Sequence, residues 1–136
     1  METQEEIKGR LDSFDEVAFA LLFGSRAVSS TRADSDWDIG VYLDDRIDEK
    51  RRFHFRLRLL AVLEDLGSVD LVVLNDAAPL IALRALQGQR ILVKQPEAFV
   101  RFFVRTLADA DDDRYWYQIH ADARRKRLEE GRFGRP

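Results

Sequence analysis

The chain lacks cysteine altogether, which excludes disulfide bonds, thiolate catalysis and zinc or iron–sulfur centres held by cysteine. It also lacks any apolar run near the roughly 18 residues that a membrane-spanning helix requires. The first six residues, Met-Glu-Thr-Gln-Glu-Glu, are acidic, whereas a secretory signal begins with basic residues followed by apolar ones. These absences predict a small soluble domain with no membrane association, and a reducing cytoplasm as its compartment.

The sequence also has no excess of positively charged residues. The 136 residues include 22 Lys and Arg against 25 Asp and Glu, a formal net charge of −3. This balance argues against a protein that binds nucleic acid through charge, so no direct nucleic-acid partner is expected. With 46% hydrophobic residues, the chain is long enough to bury the core of one domain.

The hydrophobic pattern predicts one α/β (or α+β) domain in which helices and strands follow each other along the chain. We expect a core over residues 1–95 and a helical extension over 96–136 packed on it. The third strand is nearly all apolar, which predicts a central position covered on both faces. The expected strands are 17–23, 36–43, 69–74 and 90–93, and the expected helices run to about Leu11 and over 47–66, 79–86 and 96–130.

Asp36 and Asp38 are the first candidate site residues. They lie two apart in a segment that alternates apolar and polar residues, so on a strand their carboxylates project from one face, about 7 Å apart at the backbone. Two carboxylates this close repel each other unless a cation lies between them. Oxygen ligands select a hard divalent ion such as Mg²⁺ or Mn²⁺. A solvated loop is the simpler alternative.

Asp70 is the third candidate. It lies in the apolar run Val-Asp-Leu-Val-Val-Leu, where an unpaired buried carboxylate would be costly. We therefore expect it to have a partner, either a salt bridge or a metal ion shared with Asp36 and Asp38. The second possibility predicts a cluster of three carboxylates on neighbouring strands.

Gly24 and Ser25 end the first predicted strand. Glycine permits close approach of the backbone to a ligand, and free N–H groups beside a hydroxyl suit a phosphate. Gly-Ser taken alone is usually only a turn. Combined with a carboxylate cluster, it has the layout for metal-assisted phosphoryl or nucleotidyl transfer, in which two divalent ions hold the triphosphate.

Three segments resemble the minimal nucleotidyltransferase (MNT) family, which has a polymerase-β-like fold. They are Leu-Leu-Phe-Gly-Ser-Arg-Ala at 21–27, Ser-Asp-Trp-Asp-Ile-Gly-Val at 35–41 and Val-Asp-Leu-Val at 69–72. The resemblance covers residues 15–95. It implies a small mixed sheet of about four strands flanked by helices, with ATP as substrate and Mg²⁺ as cofactor.

By position, the resemblance assigns triphosphate binding to Gly24 and Ser25, and metal binding and catalysis to Asp36, Asp38 and Asp70. Short proteins of this family resemble the antitoxins of HEPN/MNT toxin–antitoxin modules. The resemblance therefore implies transfer of AMP from ATP to a tyrosine of a HEPN toxin, within a hetero-oligomeric complex with that toxin.

One departure from the family pattern affects the phosphate site. Where the family often has Gly-Ser-x-Ala-Arg-Gly, this chain has Val28 and Ser29 in place of the last two residues. Arg26 is then the candidate cation for the phosphates, with Arg32 as another. Two alternatives stay open: a small-molecule nucleotidyltransferase of the aminoglycoside-modifying kind, and an antitoxin that masks its toxin without catalysis.

The C-terminal segment offers a candidate partner surface. Tyr115, Trp116 and Tyr117 are adjacent on a predicted helix, so they point in different directions and at least one is expected to be exposed. Exposed aromatic residues are enriched at interfaces. We expect toxin docking by at least one of the three, with a place in the core as the alternative.

Overall fold

Four helices and four strands form the part of the chain that the structure, a computed structural model, describes: residues 2–24 and 37–111. Pro96 opens the last helix at its first position, which proline favours. Short 3₁₀ turns follow the second helix and the third strand. The elements are α1 (Glu2–Asp12), β1 (Val17–Phe23), β2 (Trp37–Leu43), α2 (Glu49–Leu63), β3 (Val69–Val73), α3 (Pro79–Leu86), β4 (Gln89–Val93) and α4 (96–111).

The strands form one mixed sheet in the order β3-β2-β1-β4. Strand β1 runs antiparallel to both of its neighbours, β2 and β4. Strands β2 and β3 are parallel, and α2 makes the crossover between them. The small mixed sheet with flanking helices that the family resemblance implies is therefore confirmed. Among the described residues, no helix is long and apolar enough to cross a membrane.

Each face of the sheet carries its own hydrophobic cluster. Alternate residues of β2, beginning with Trp37 and Ile39, pack against Ile7 of α1 and Leu59 of α2. The opposite face, including Tyr42, packs against α3 and α4. The predicted alternation is thus confirmed over 37–43. It orients the side chain of Asp38 toward the face that α3 and α4 cover.

The prediction that the third strand is central is wrong, although each face packs in part, with Leu71 and Val73 in one hydrophobic cluster and Val72 against the other. Strand β3 lies at the edge of the sheet, and Asp70 near its start is exposed to solvent. Its apolar character reflects Leu71 and Val73, which pack into the core beneath α2. Asp70 therefore avoids the cost of burial without needing a buried partner.

The inward face of α2 includes only some of the apolar residues of the helix. Phe55, Leu59 and Leu63 are buried at a spacing of four residues. Phe53 and Leu57, which share the helical periodicity on another face, are 59% and 47% exposed. Similarly, in α4 Phe102 is buried while Phe103 and Leu107 are each 42% exposed. The sheet covers a narrower arc of each helix than the apolar residues occupy.

Helix α4 is held against the sheet by aromatic contacts and a polar link. The Phe19 and Tyr42 rings stack with centroids 5.0 Å apart, and Phe102 lies 5.4 Å from Phe19. The Tyr42 hydroxyl donates to Asp45 at 2.6 Å, and Arg101 of α4 bridges to the same carboxylate at 3.0 Å. Burial raises the pKa of Tyr42, and the hydrogen bond to Asp45 raises it further.

Asn75 continues the hydrogen bonding between β2 and β3 beyond the end of β3. Its Oδ1 accepts from the Leu43 backbone N–H at 2.8 Å, and its Nδ2 donates to the Leu43 carbonyl at 2.9 Å. The amide side chain thus replaces a backbone partner after the chain has turned away from the sheet. These two bonds help to hold β3, and Asp70 with it, beside β2.

Replacing Asn75 with alanine is expected to lower the free energy of unfolding by about 2 kcal/mol, because it leaves the Leu43 N–H and C=O in a partly buried position without their partner. Thermal and urea unfolding measure the change. Gln87→Ala, at the exposed end of α3, is the matched control. Equal stability of the two variants would contradict this role of Asn75.

Asp44 links the end of β2 to the chain before α4. It accepts from the Arg46 side chain and backbone N–H and from Gln95 Nε2 at 3.0 Å. The hydrogen bonds from Arg46, with that from Gln95, hold the pKa of this carboxyl well below its usual range. A depressed folded-state pKa stabilises the protein above the unfolded value of about 3.9, and this contribution is lost as the pH falls below it.

Asp44→Asn is therefore expected to lower the Tm most at pH 6 to 7, with a difference from the parent chain that narrows below about pH 4. Thermal melting at a series of pH values measures this difference. A difference that stays constant from pH 7 to pH 3 would contradict the assignment.

Candidate active site

Three of the predicted site residues meet at one end of the sheet. Gly24 follows the last residue of β1, and that residue, Phe23, pairs with Asp38 in β2. Asp38 in turn is the register partner of Asp70 in β3. Antiparallel pairing brings the end of β1 beside the start of β2, and parallel pairing brings the start of β3 next to it. The topology thus collects residues far apart in the sequence.

Glycine is required at position 24 by the backbone conformation and by the neighbouring Asp38 side chain. Its φ angle is +75°, in the left-handed region that favours glycine. A Cβ atom at this position would lie 1.9 Å from Oδ2 of Asp38. The backbone at Gly24 and the Asp38 carboxylate are therefore in close contact.

Asp38 and Asp70 project from the same face of the sheet, because register partners on adjacent strands share a face. Neighbouring strands lie about 4.8 Å apart, so the two acidic side chains start from adjacent backbone positions on one face, where like charges repel unless a cation lies between them. Asp38 is partly buried and Asp70 is exposed. A hard divalent cation fits this donor chemistry, because it offsets the repulsion and takes oxygen ligands.

The remaining predicted site residues, Ser25, Arg26 and Asp36, lie outside the described residues, as does Arg32. The same holds for Tyr115, Trp116 and Tyr117. Within 2–24 and 37–111 there is no group of three or more side chains suited to hold a metal ion. The pair Asp38 and Asp70 is the part of the predicted cluster that the structure places.

Gly88 contributes to the site in a way that the sequence did not indicate. Its position after α3 predicts only a helix end. A Cβ atom at Gly88 would lie 2.1 Å from the Leu22 carbonyl oxygen and 2.8 Å from Phe23 Cβ. The chain between α3 and β4 therefore packs directly against the last residues of β1, immediately before Gly24.

A groove beside Asp70 is a second feature that the sequence did not indicate. It runs between the first half of α2 and the outer edge of β3, and it is lined by Arg52, Phe53, Arg56, Asp70, Val72 and Asp76. Only the tertiary structure shows that the edge of β3 faces α2. The groove opens beside one of the two site carboxylates.

Comparison with known proteins agrees with this arrangement. The sequence profile of the family described as Polymerase beta, Nucleotidyltransferase matches residues 5–98, which include Gly24, Asp38 and Asp70. The chain belongs to this nucleotidyltransferase family. The match extends from α1 to the start of α4 and so contains the whole sheet.

A curated relative carries a more specific name. The protein adenylyltransferase MntA of Aphanizomenon flos-aquae (strain 2012/KM1/D3) is 31% identical over 99 residues, 64% of this chain. The match likewise spans 64% of that relative's length.

Solved structures of toxin–antitoxin complexes share the fold of this nucleotidyltransferase. A chain from one crystallised with AMP-PNP superposes with a TM-score of 0.68 at 24% identity, covering 88% of this chain and 96% of its own length. A chain from the complex of the tri-AMPylated Shewanella oneidensis HEPN toxin with its MNT antitoxin superposes with a TM-score of 0.62 at 21% identity, covering 88% and 97%. At these identities the likeness establishes the polymerase-β-like fold.

Proposed function

We propose that this chain is a Mg²⁺-dependent nucleotidyltransferase that transfers AMP from ATP to a tyrosine hydroxyl of a HEPN toxin, in the cytoplasm, and thereby acts as the antitoxin. The proposal rests on the positions of Gly24, Asp38 and Asp70. These residues lie together at one end of the sheet, within the residues that the family profile matches. The named function of the MntA relative and the AMPylated HEPN toxin in one structural neighbour support the acceptor.

Asp38 and Asp70, with Asp36, are the residues that would hold Mg²⁺. When bound, two such ions would neutralise the triphosphate and stabilise the charge that develops during transfer. Gly24 places its backbone against the Asp38 carboxylate, which brings the turn and the carboxylates to one ligand. Ser25 and Arg26, the next residues along the chain, are proposed to bind the triphosphate with it.

In the reaction, the phenol oxygen of the toxin's tyrosine attacks the α-phosphorus of ATP. One P–O bond forms there, the bond to the leaving pyrophosphate breaks, and the phenol loses its proton. Asp70 is the exposed carboxylate and lies at the outer strand, so it is the residue placed to accept that proton. Asp38 is partly buried beside Gly24 and faces the phosphate side.

The proposal can be tested by comparing transfer from ATP labelled at the α-phosphate with transfer from ATP labelled at the γ-phosphate. We expect label from [α-³²P]ATP, but not from [γ-³²P]ATP, on a HEPN-family toxin offered as acceptor, and loss of labelling when EDTA removes Mg²⁺. Label recovered only on an added aminoglycoside would favour the small-molecule alternative. Stable binding of the HEPN protein with no label would favour the non-catalytic antitoxin.

A further inference from the structure

The groove beside Asp70, which we call the α2–β3 groove, is continuous with the candidate site. One wall is the edge strand β3, and the other is the first half of α2. At the site end the groove begins with Asp70, and along α2 it is bordered by Arg52, Phe53 and Arg56. A molecule lying in it would contact β3 at the position of Asp70.

The groove lies on the side of the site from which an acceptor can approach. Across the sheet the order is Gly24 after β1, Asp38 on β2, Asp70 on β3 and then the groove. The triphosphate is assigned to the Gly24 end. In-line displacement requires the attacking oxygen to lie opposite the leaving pyrophosphate, so the acceptor enters from the β3 side.

Of the two arginines that line the groove, one is held in an ion pair and the other forms none within the described part of the chain. Arg52 is fixed, because it binds Asp76 through two nitrogens at 2.9 and 2.7 Å. Arg56 donates from Nε to the Leu71 carbonyl at 2.9 Å, which covers an outward-facing acceptor of the edge strand. Among the described residues no carboxylate forms a salt bridge with Arg56, so its guanidinium keeps a net positive charge suited to stacking on an aromatic ring.

Phe53 is the apolar contact that the groove offers. It lies on α2 two residues before the buried Phe55, and 59% of it is exposed. The core cluster beneath α2 does not include it, so packing does not account for an aromatic residue here. An exposed aromatic beside an unneutralised arginine suits the phenol ring and the flanking backbone of a tyrosine-bearing segment.

The geometry points to the α2–β3 groove as the docking site for the toxin segment that carries the acceptor tyrosine, with Phe53 and Arg56 as its contacts. This inference rests on the proposed function and specifies where the acceptor binds. The groove directs the tyrosine hydroxyl toward Asp70, and the segment lies along the edge of β3. The nucleotide stays at the Gly24 side and makes no contact with Phe53.

Phe53→Ala tests the inference with two readouts on a HEPN-family toxin. We expect its Kd, measured by titration calorimetry without ATP, and its KM in the transfer reaction to rise by about tenfold or more, as for loss of an aromatic contact at an interface. Affinity for a fluorescent ATP analogue should stay within about twofold. Phe53→Trp, which keeps an aromatic surface, should restore acceptor binding.

Leu57→Ala is the matched control, because Leu57 lies one turn further along α2, is similarly exposed and is not part of the groove lining. It should leave Kd and KM unchanged.

If Phe53→Ala binds and modifies the toxin as the parent chain does, the groove is not the docking site, although the proposed function stands. If the parent chain binds the toxin but transfers no AMP, the proposed function fails, and the Kd comparison still decides on the groove. If the parent chain binds no HEPN protein, both are wrong.

Discussion

Replacing Gly24 with alanine is expected to reduce nucleotidyl transfer about 100-fold or more, the largest loss from any single methyl group in the described part of the chain. The added Cβ would lie 1.9 Å from Asp38 Oδ2, so the carboxylate, the turn or both must move. A displacement of about 1 Å in such a site is enough for a loss of this size. The φ angle of +75° adds a backbone cost of about 1 kcal/mol to the folded state. Initial rates of AMP transfer and thermal melting measure the two effects.

Two other glycines separate these causes. Gly67 has a φ angle of +119° and open space around its Cβ position, so Gly67→Ala should destabilise the fold while transfer persists. Gly9 lies inside α1 with nothing within 4 Å, so Gly9→Ala should raise the free energy of unfolding by about 0.5–1 kcal/mol and leave transfer intact. A Gly24→Ala protein that melts lower but transfers AMP at the parent rate would contradict the contact between the turn and Asp38 as the essential feature.

Neutralising either described carboxylate of the site is expected to reduce transfer about 10²–10³-fold without unfolding the protein. In Asp38→Asn and Asp70→Asn, one of two like charges on register partners is removed. Because each substitution removes one of two like charges on adjacent strands, we expect the Tm to hold or rise in each variant. The same result is expected for Asp36→Asn. Melting curves recorded in EDTA, together with transfer rates in Mg²⁺, provide the measurements.

Asp15→Asn is the control for these variants, because Asp15 is exposed just before β1, at the opposite end of that strand from Gly24. Its transfer rate should match that of the parent chain. A variant of Asp38 or Asp70 that melts several degrees lower and still transfers AMP would show that the residue supports the fold and is not part of the site.

Much of the fold was predictable because local signals and tertiary packing agree. The alternation in β2 and the glycines and prolines that bound the helices placed the elements from α1 to β4 within a few residues of their observed ends, whereas the predicted end of the last helix, at 130, lies outside the described residues. The resemblance to the MNT family supplied the mixed sheet, and the profile match and superposed structures confirm the family and fold.

The sequence could not predict strand order or helix rotation. The apolar run around Asp70 fits a central strand as well as an edge strand with one face under α2, and only the sheet order distinguishes them. Likewise, Phe53 and Phe55 both fit a helical repeat, and only the contact with the sheet decides which is buried. The contact between Gly24 and Asp38 and the packing of Gly88 on β1 are tertiary contacts that no spacing indicates. The predicted roles of Ser25, Arg26 and Asp36 remain predictions.

The most direct test of the central claim is the intact mass of the HEPN protein after incubation with this chain, ATP and Mg²⁺. The account predicts a gain of one or more adenylyl groups, mapped to tyrosine by fragmentation, and no gain when Asp38→Asn replaces the parent chain. An unchanged mass, with a chain that is folded and binds both ATP and the HEPN protein, would contradict it.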